Sequence, residues 1–351
     1  MAHALDFSKG FAAVAAIGGR KSMWHQNGQE ILPTDTPEEI QAKAGADFEV
    51  KIAQAKFDRQ IIGLDGKPFV QEEIAENVFH LYRSDTGRVM NTVTERYKPV
   101  QPATIFQFFK QLCAKHGYQI ETAGVLANGG RYWVTANTRN VLQLPGKDKM
   151  QQFVTIATSC DGSMSTEGFT TEFRVVCDNT LQSARHDNVL SVKNRHSTVV
   201  DWDKISIKLE LVSDAWTKFS LHAKEMTKYK VNDQQAMKLL LNAYYSLDTD
   251  EKVAKFLAAE KLNEKQAARR ETDTKQMMNR LYAHLNNGPG AKIESSDGTL
   301  WGLMNAVTYD VDHDAGAKGR TPEAKFVSSQ WKDGAAIKDR AWTAAVALVT
   351  A

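Results

Sequence analysis

The chain has 351 residues, of which 42% are hydrophobic and 25% are charged, and its formal net charge at pH 7 is +2. This composition is typical of a folded globular protein and excludes a collagen-like or low-complexity chain. The near-neutral charge argues against an obligate histone-like partner, but it leaves room for a local basic face.

Capped helices and hairpin turns are predicted in the first 130 residues. Residues 35–45 predict a helix that Asp35 or Thr36 caps, that Pro37 begins and that Gly45 ends. Residues 48–57 and 78–100 contain alternating apolar positions, with Ser84–Gly87 as a hairpin turn. Residues 101–117 then predict an amphipathic helix.

Further hairpins and then helices are predicted along the rest of the chain. Asn128-Gly129-Gly130 and Asp161-Gly162 each separate two β-rich runs. Phe173–Cys177 resembles a buried strand, and Asp178–Arg185 resembles the first turns of a helix capped by Asp178 or Asn179. Later segments with helical periodicity are 204–230, 232–246, 250–285, 298–314 and 333–350.

These elements predict an α+β fold, in which an antiparallel, hairpin-rich sheet packs with helices and a mainly helical C-terminal half follows. We expect an N-terminal lead segment at 1–45, an α+β core domain at 46–200 and a mainly helical region at 201–351.

Cysteine usage and hydropathy indicate the compartment. Cys113, Cys160 and Cys177 are widely spaced, odd in number and without CxxC spacing. This pattern favours a reducing cytoplasm over a disulfide framework or a cysteine metal site. The N-terminal apolar run lacks a preceding basic region and is too short to span a bilayer. We expect a mature cytoplasmic protein without a membrane contact.

Positive charge is concentrated between residues 81 and 200, which contain 14 Lys and Arg residues and 9 Asp and Glu residues, a net charge of +5. Cations on a sheet can bind phosphates, and exposed rings can stack on bases. The competing interpretation is a solvated sheet face with the two rings partly in the core. The candidate DNA-binding residues are Arg131, Tyr132, Trp133, Lys147, Lys149, Arg174, Arg185, Lys193 and Arg195.

Two enzyme hypotheses are weaker. Cys177 and His186 could form a nucleophile and its base, although a buried packing cysteine and a helix cap explain the same residues. Asp310–Asp314, with the sequence DVDHD, resembles part of a calcium loop, but Gly316 and Glu323 are misplaced for one, so a solvated helix end is the default. No phosphate loop, dinucleotide fingerprint, HExxH or GxSxG is present. We expect a non-enzymatic protein without a cofactor or a bound metal.

The motifs RYKPVQ, AGVLANGGRYWVTA, FRVVCDNTLQSA, RHS and WGLMNAVTYDVDH occur in this order along the chain. Together with Met1–Leu5 and Trp24-His25, they resemble the phage/plasmid-like protein family, domain of unknown function 932. The glycine-rich stretch of that family is reduced here to Asn27-Gly28. The resemblance implies a protein of a phage, plasmid or integrated element, and it implies no activity.

The order of a hairpin-rich sheet and a helical half also resembles single-strand annealing proteins of the Rad/Erf/Red-beta type, at the level of architecture alone. We therefore expect single-stranded DNA binding and annealing by a homo-oligomeric ring or filament, in recombination or repair. The alternative is an accessory protein of a mobile element that binds a host or defence protein.

Overall fold

The computed structural model describes residues 6–18, 28–174, 179–181, 192–210, 212–314, 328–329 and 333–350. The predicted α+β class is confirmed, since antiparallel strands dominate the N-terminal part and helices the C-terminal half. The chain divides into two compact units, residues 1–138, 154–168 and 192–207 in the first, and 139–153, 169–191 and 208–351 in the second. Three long strands each contribute residues to both units. The limits expected from the sequence, at residues 45 and 200, stay a prediction.

The larger sheet is mostly antiparallel. Its strands are β1 (Val14–Ile17), β2 (Gln29–Ile31), β6 (Gln119–Leu126), β7 (Arg131–Leu144), β8 (Asp148–Ser159), β9 (Thr166–Arg174), β10 (Asn179–Leu181) and β11 (Val192–Asn194). Their order among the described residues is β10-β9-β8-β7-β6-β1-β2, with β11 also paired to β9. The predicted turns at Asn128–Gly130 and Asp161-Gly162 connect β6 to β7 and β8 to β9.

A second sheet is formed by β3 (Val50–Ile62), β4 (Pro68–Arg83) and β5 (Val89–Val93), in that order. The predicted turn at Ser84–Gly87 connects β4 to β5. The longer hairpin joins β3 to β4 through residues 63–67, which include the turn dipeptide Asp65-Gly66.

The helices fall close to their predicted positions, except that residues 258–263 interrupt the helical segment predicted at 250–285. They are α1 (Pro37–Lys43), α2 (Pro102–His116), α3 (Trp202–Glu210), α4 (Val212–Lys228), α5 (Asp233–Tyr245), α6 (Asp250–Leu257), α7 (Glu264–Asn287), α8 (Leu300–Tyr309), a π-helical turn (Asp310–Asp314) and α9 (Asp333–Thr350). The Thr36 side chain accepts from the Glu39 amide in a capping box, and Gly117 ends α2 with φ of 69°. Within the described residues, no helix is long and apolar enough to span a membrane.

One local prediction is wrong. Residues 179–181 form β10, which pairs antiparallel with β9 through Asn179 and Arg174, instead of the first turn of a helix. An Asn is compatible with a helix cap and with a strand end, so the sequence pattern could not decide between them. The remaining residues of that predicted helix, and Cys177, lie outside the described residues.

The core of the helical unit surrounds α8, which is buried from Leu300 to Thr308. The Trp301 indole N–H donates to Asp148 Oδ2 at 3.0 Å, and the Ser295 hydroxyl donates to the same oxygen at 2.7 Å. A Cβ on Gly302 would lie 2.0 Å from the Ser296 carbonyl oxygen, so glycine permits this close approach. These contacts explain why a capped, wholly buried helix carries the sequence Trp-Gly.

A buried guanidinium organises the first unit. Arg83, the last residue of β4, is fully buried and makes two hydrogen bonds to Asp85, at 2.9 and 2.7 Å, and a third to Asp6. Its guanidinium carbon lies 4.1 Å from the centroid of the Phe48 ring. Burial opposes ionisation of Asp6, but hydrogen bonds from Arg83 and Ser8 outweigh it and lower the pKa of the carboxyl.

The β6–β7 turn packs directly on this cation. Gly129 has φ of +100°, and a Cβ there would lie 2.5 Å from Arg83 Cδ. We expect Gly129→Ala to lose about 1–3 kcal/mol of unfolding free energy through overpacking, beyond the cost of its positive φ. Urea unfolding measures the loss.

Gly87→Ala is the matched control, since Gly87 has φ of +66° and open space around its Cβ position. Equal destabilisation of the two variants would show that the contact with Arg83 contributes nothing.

Candidate nucleic-acid interface

Two loops of the first unit come into contact between distant parts of the sequence. Residues 94–101 connect β5 to α2, and residues 195–201 connect β11 to α3. The Tyr97 and His196 rings stack with centroids 4.8 Å apart and planes at 17°. The Lys98 amide donates to the His196 carbonyl at 2.5 Å. We call residues 95–98 and 195–198 the basic junction.

Both stacked rings are held against the turn between β8 and β9. The Tyr97 hydroxyl donates to the Ser159 carbonyl at 3.0 Å, and His196 Nε2 lies 3.1 Å from the Met164 carbonyl oxygen. Burial raises the pKa of Tyr97, and nearby Cys160 and Asp161 raise it further. The phenol therefore stays protonated and keeps its role as a donor.

The side chains around this stack carry uncompensated positive charge. Arg96, Lys98 and Arg195 are exposed, and no ion pair connects them to an acid within the described part of the chain. Within the basic junction Glu95 is the one acidic residue, and Asp201 lies further along the second loop. Three cations and one acid leave the junction with a formal charge of +2. Flexible cations exposed to solvent are suited to phosphate oxygens.

Arg131 and Tyr132 do not fit the predicted role. Arg131 Nε donates to Asp161 at 2.9 Å and to the Ser163 hydroxyl at 2.7 Å, so an acid already compensates its charge. Tyr132 is buried, and its hydroxyl donates to the Val100 carbonyl. Because even-numbered residues of β7 face the core, Tyr132 as a base-stacking residue is a wrong prediction.

Trp133 lies on the opposite face of β7 and is half-buried. Its ring covers Gly124, where a Cβ would come within 2.3 Å of it, and it packs on Ala12, Val14, Ala16 and Leu126. The ring therefore stabilises a small apolar cluster.

The other predicted cations are divided. Lys147 is exposed in the turn between β7 and β8, and Lys149 is half-buried at the start of β8. Both belong to the second unit, whereas Arg195 belongs to the first. Arg174 and Lys193 lie in described strands without described side chains, and Arg185 and His186 lie outside the described residues. The structure therefore does not show these residues together on one basic face of the sheet.

Sequence reasoning missed Arg96 and Lys98 as site residues. They lie in the motif RYKPVQ, and Arg195 lies in the motif RHS, so each motif carries part of the signal. No local pattern indicates that Tyr97 and His196, about 100 residues apart, stack on each other.

The buried thiol of Cys160 does not support nucleophilic chemistry. Burial raises the pKa of Cys160 to about 12, and a hydrogen bond with Tyr132 offsets only part of this effect. Such a thiol stays protonated at neutral pH and is a poor nucleophile.

The three carboxylates of DVDHD lie against basic side chains, and His284 Nε2 lies near two of them, since it is also 3.5 Å from Asp310 Oδ1. Asp310 is buried and binds Arg280 and the Tyr244 hydroxyl, and Asp314 Oδ2 lies 2.9 Å from His284 Nε2. Burial raises the pKa of the Tyr244 phenol, which stays protonated and donates a hydrogen bond to Asp310. Asp312 accepts from Lys338 Nζ at 2.8 Å. Across the residues described, no group of His, Cys, Asp or Glu is placed to hold a metal ion.

Comparison with known families identifies the broader group. Residues 89–331 match the family described as Domain of unknown function (DUF932). The match covers more than half of the chain, so the protein belongs to this family, and the predicted resemblance is confirmed. Neither the curated proteins nor the solved structures contain a match. Both loops of the basic junction lie inside the matched region.

The pair of Lys338 and Asp312 tests the interpretation of DVDHD as a structural element. Both side chains are nearly buried, at 2% and 8% exposure. Lys338→Met leaves a buried carboxylate without its cation, and we expect a loss of about 3–5 kcal/mol in urea unfolding. The double variant with Asp312→Leu should lose less, because no unpaired charge remains.

A calcium or magnesium titration completes this test. We expect no change in melting temperature, because Arg280 and Lys338 already bind Asp310 and Asp312. A metal-dependent rise that Asp312→Asn abolishes would contradict this interpretation.

Proposed function

We propose that this protein binds the phosphate backbone of single-stranded DNA through the basic junction and anneals complementary strands as a homo-oligomer. A phage, plasmid or integrated element is the proposed source, and recombination or repair the proposed process. The observation that carries the proposal is the set of three exposed cations, Arg96, Lys98 and Arg195, which two contacting loops bring together.

The geometry favours contacts with the backbone over contacts with the bases. Tyr97 and His196 stack on each other and are only partly exposed, so they form an internal support and not an open platform. Cations that bind phosphates carry no sequence information. A strand held in this way keeps its bases available for pairing, which annealing requires.

The basic junction of one copy carries only three cations, and this small number is why the proposal includes a homo-oligomer. Each phosphate contact with a single strand contributes about 0.7 to the negative log-log salt slope of binding. Three contacts in one copy therefore give a slope of only about 2, and the affinity is low at high salt. Several copies on one strand add their contacts and raise the overall affinity.

The test replaces the three cations together, as Arg96→Gln, Lys98→Gln and Arg195→Gln. We expect the salt slope for binding a single-stranded oligonucleotide to fall by about 2 for each bound copy, with a large loss of affinity at low salt. Fluorescence anisotropy across a salt series measures both quantities.

The control has the same change in net charge on the helical unit, as Lys228→Gln, Lys252→Gln and Lys255→Gln. These exposed lysines pair with neighbouring acids at 2.7, 2.6 and 2.5 Å. The control should keep the slope of the natural chain. Equal losses in both triple variants would assign the effect to net charge alone, and no binding by the natural chain would refute the proposal.

Annealing is measured separately, with complementary strands labelled by a fluorophore and a quencher. The natural chain should accelerate duplex formation, and the junction variant should not. Binding without acceleration would leave a single-strand binding protein and remove annealing from the proposal.

A further inference from the structure

The distal part of the β3–β4 hairpin is a separate structural feature. Residues 56–62 pair with residues 68–74, from Lys56 with Ile74 to Ile62 with Pro68. The register is irregular after Gln54, and Asn77 has φ of +54°, so this part is set off from the hairpin base. β5 pairs only with the base, through residues 79–82. We call residues 56–74 the arm.

Both faces of the arm carry exposed apolar side chains. Phe57, Ile61 and Phe69 lie on one face, and Ile62, Val70 and Ile74 lie on the other, as their pairing shows. Ile62, Val70 and Ile74 are 68%, 62% and 61% exposed, and Phe57 and Phe69 about half exposed. An isolated two-stranded ribbon is marginally stable in water. A strand added at either edge would place its side chains beside these and bury part of this surface.

Both edges of the arm are also open. Within the described residues, β3 pairs only with β4, and the 68–74 part of β4 pairs only with β3. Unpaired backbone donors and acceptors along an edge form a template for another strand.

The charges of the two edges are complementary. Within the arm, β3 carries Lys56 and Arg59 against Asp58, whereas residues 68–74 carry Glu72 and Glu73 without a cation. Ion pairs across the arm, Lys56–Glu72 at 2.6 Å and Arg59–Glu73 at 3.3 Å, already show this match between neighbouring strands. Two copies of β3 side by side would place like charges together, as would two copies of β4.

We propose that the arm binds a second copy of this chain, with the β3 edge of one copy pairing antiparallel to the β4 edge of the next. This contact uses two different surfaces, so one contact between two copies leaves one edge open on each of them. Further copies can therefore add until the assembly closes as a ring, or it grows as a filament. The inference specifies the homo-oligomer of the proposed function, and it is tested without DNA.

The first test removes the apolar side chains of one face, as Ile62→Ser, Val70→Ser and Ile74→Ser. The natural chain should sediment as an oligomer in the absence of DNA, and this variant should sediment with the mass of one chain. Val141→Ser, Leu221→Ser and Leu257→Ser form the control, because these side chains are also exposed but lie outside the arm. The control should keep the oligomer, and thermal unfolding confirms that both variants are folded.

The second test addresses which strands pair. Lys56→Glu with Arg59→Glu makes β3 acidic, and Glu72→Lys with Glu73→Lys makes β4 basic. Each variant alone should be monomeric, and an equimolar mixture should regain the oligomer. Repulsion inside each arm persists in the mixture, so recovery can arise only from pairing between copies.

Several results would overturn the inference. These are a monomeric natural chain, an oligomer that survives the serine replacements in the arm, and a mixture that stays monomeric. A monomer that captures a protein from host lysate only when its arm is intact would also overturn it and would favour an accessory role. Salt-dependent DNA binding by a monomeric chain would refute the arm contact alone, whereas an oligomer without DNA affinity would refute the DNA proposal alone.

Discussion

The first unit depends on keeping one buried cation satisfied. A guanidinium removed from water is tolerated only when carboxylates and hydrogen bonds surround it, and Arg83 meets this condition through Asp6, Asp85 and the Phe48 ring. These partners come from the segment before β1, the segment before β3 and the turn after β4. The requirement therefore fixes the base of the hairpin relative to the N-terminal strand, and it requires glycine at position 129.

The same constraint extends to the basic junction. The carbonyl of Gly130 accepts the amide of Cys160 at 2.6 Å, so the β6–β7 turn holds the end of β8. The adjacent Ser159 carbonyl accepts the Tyr97 hydroxyl, and Tyr97 stacks on His196. Exposed cations are thus mounted on a support of buried hydrogen bonds. A side chain that loses little freedom on binding costs less entropy than one on a mobile loop.

The sequence predicts local structure well and side-chain partners poorly. Thr36, Gly117 and the turn at Asn128–Gly130 act within a few residues, so their signals determine α1, α2 and the β6–β7 hairpin. The role of Tyr132 depends on which face of β7 is buried, and alternation alone is symmetric between the two faces. Arg131 pairs with Asp161 only because two turns lie side by side, which is a property of the sheet. The Tyr97–His196 contact is equally nonlocal.

The arm and the basic junction together suggest how weak contacts become sufficient. A single junction offers three cations, and a single arm offers two complementary open edges. If arms connect the copies, each junction is presented to the same strand at a high effective concentration, and the contacts multiply without any new site in the single chain. Affinity then depends on the number of copies and the length of the strand. The proposed assembly would hold a strand firmly as a whole and loosely at each point, so neighbouring bases could still move into a duplex.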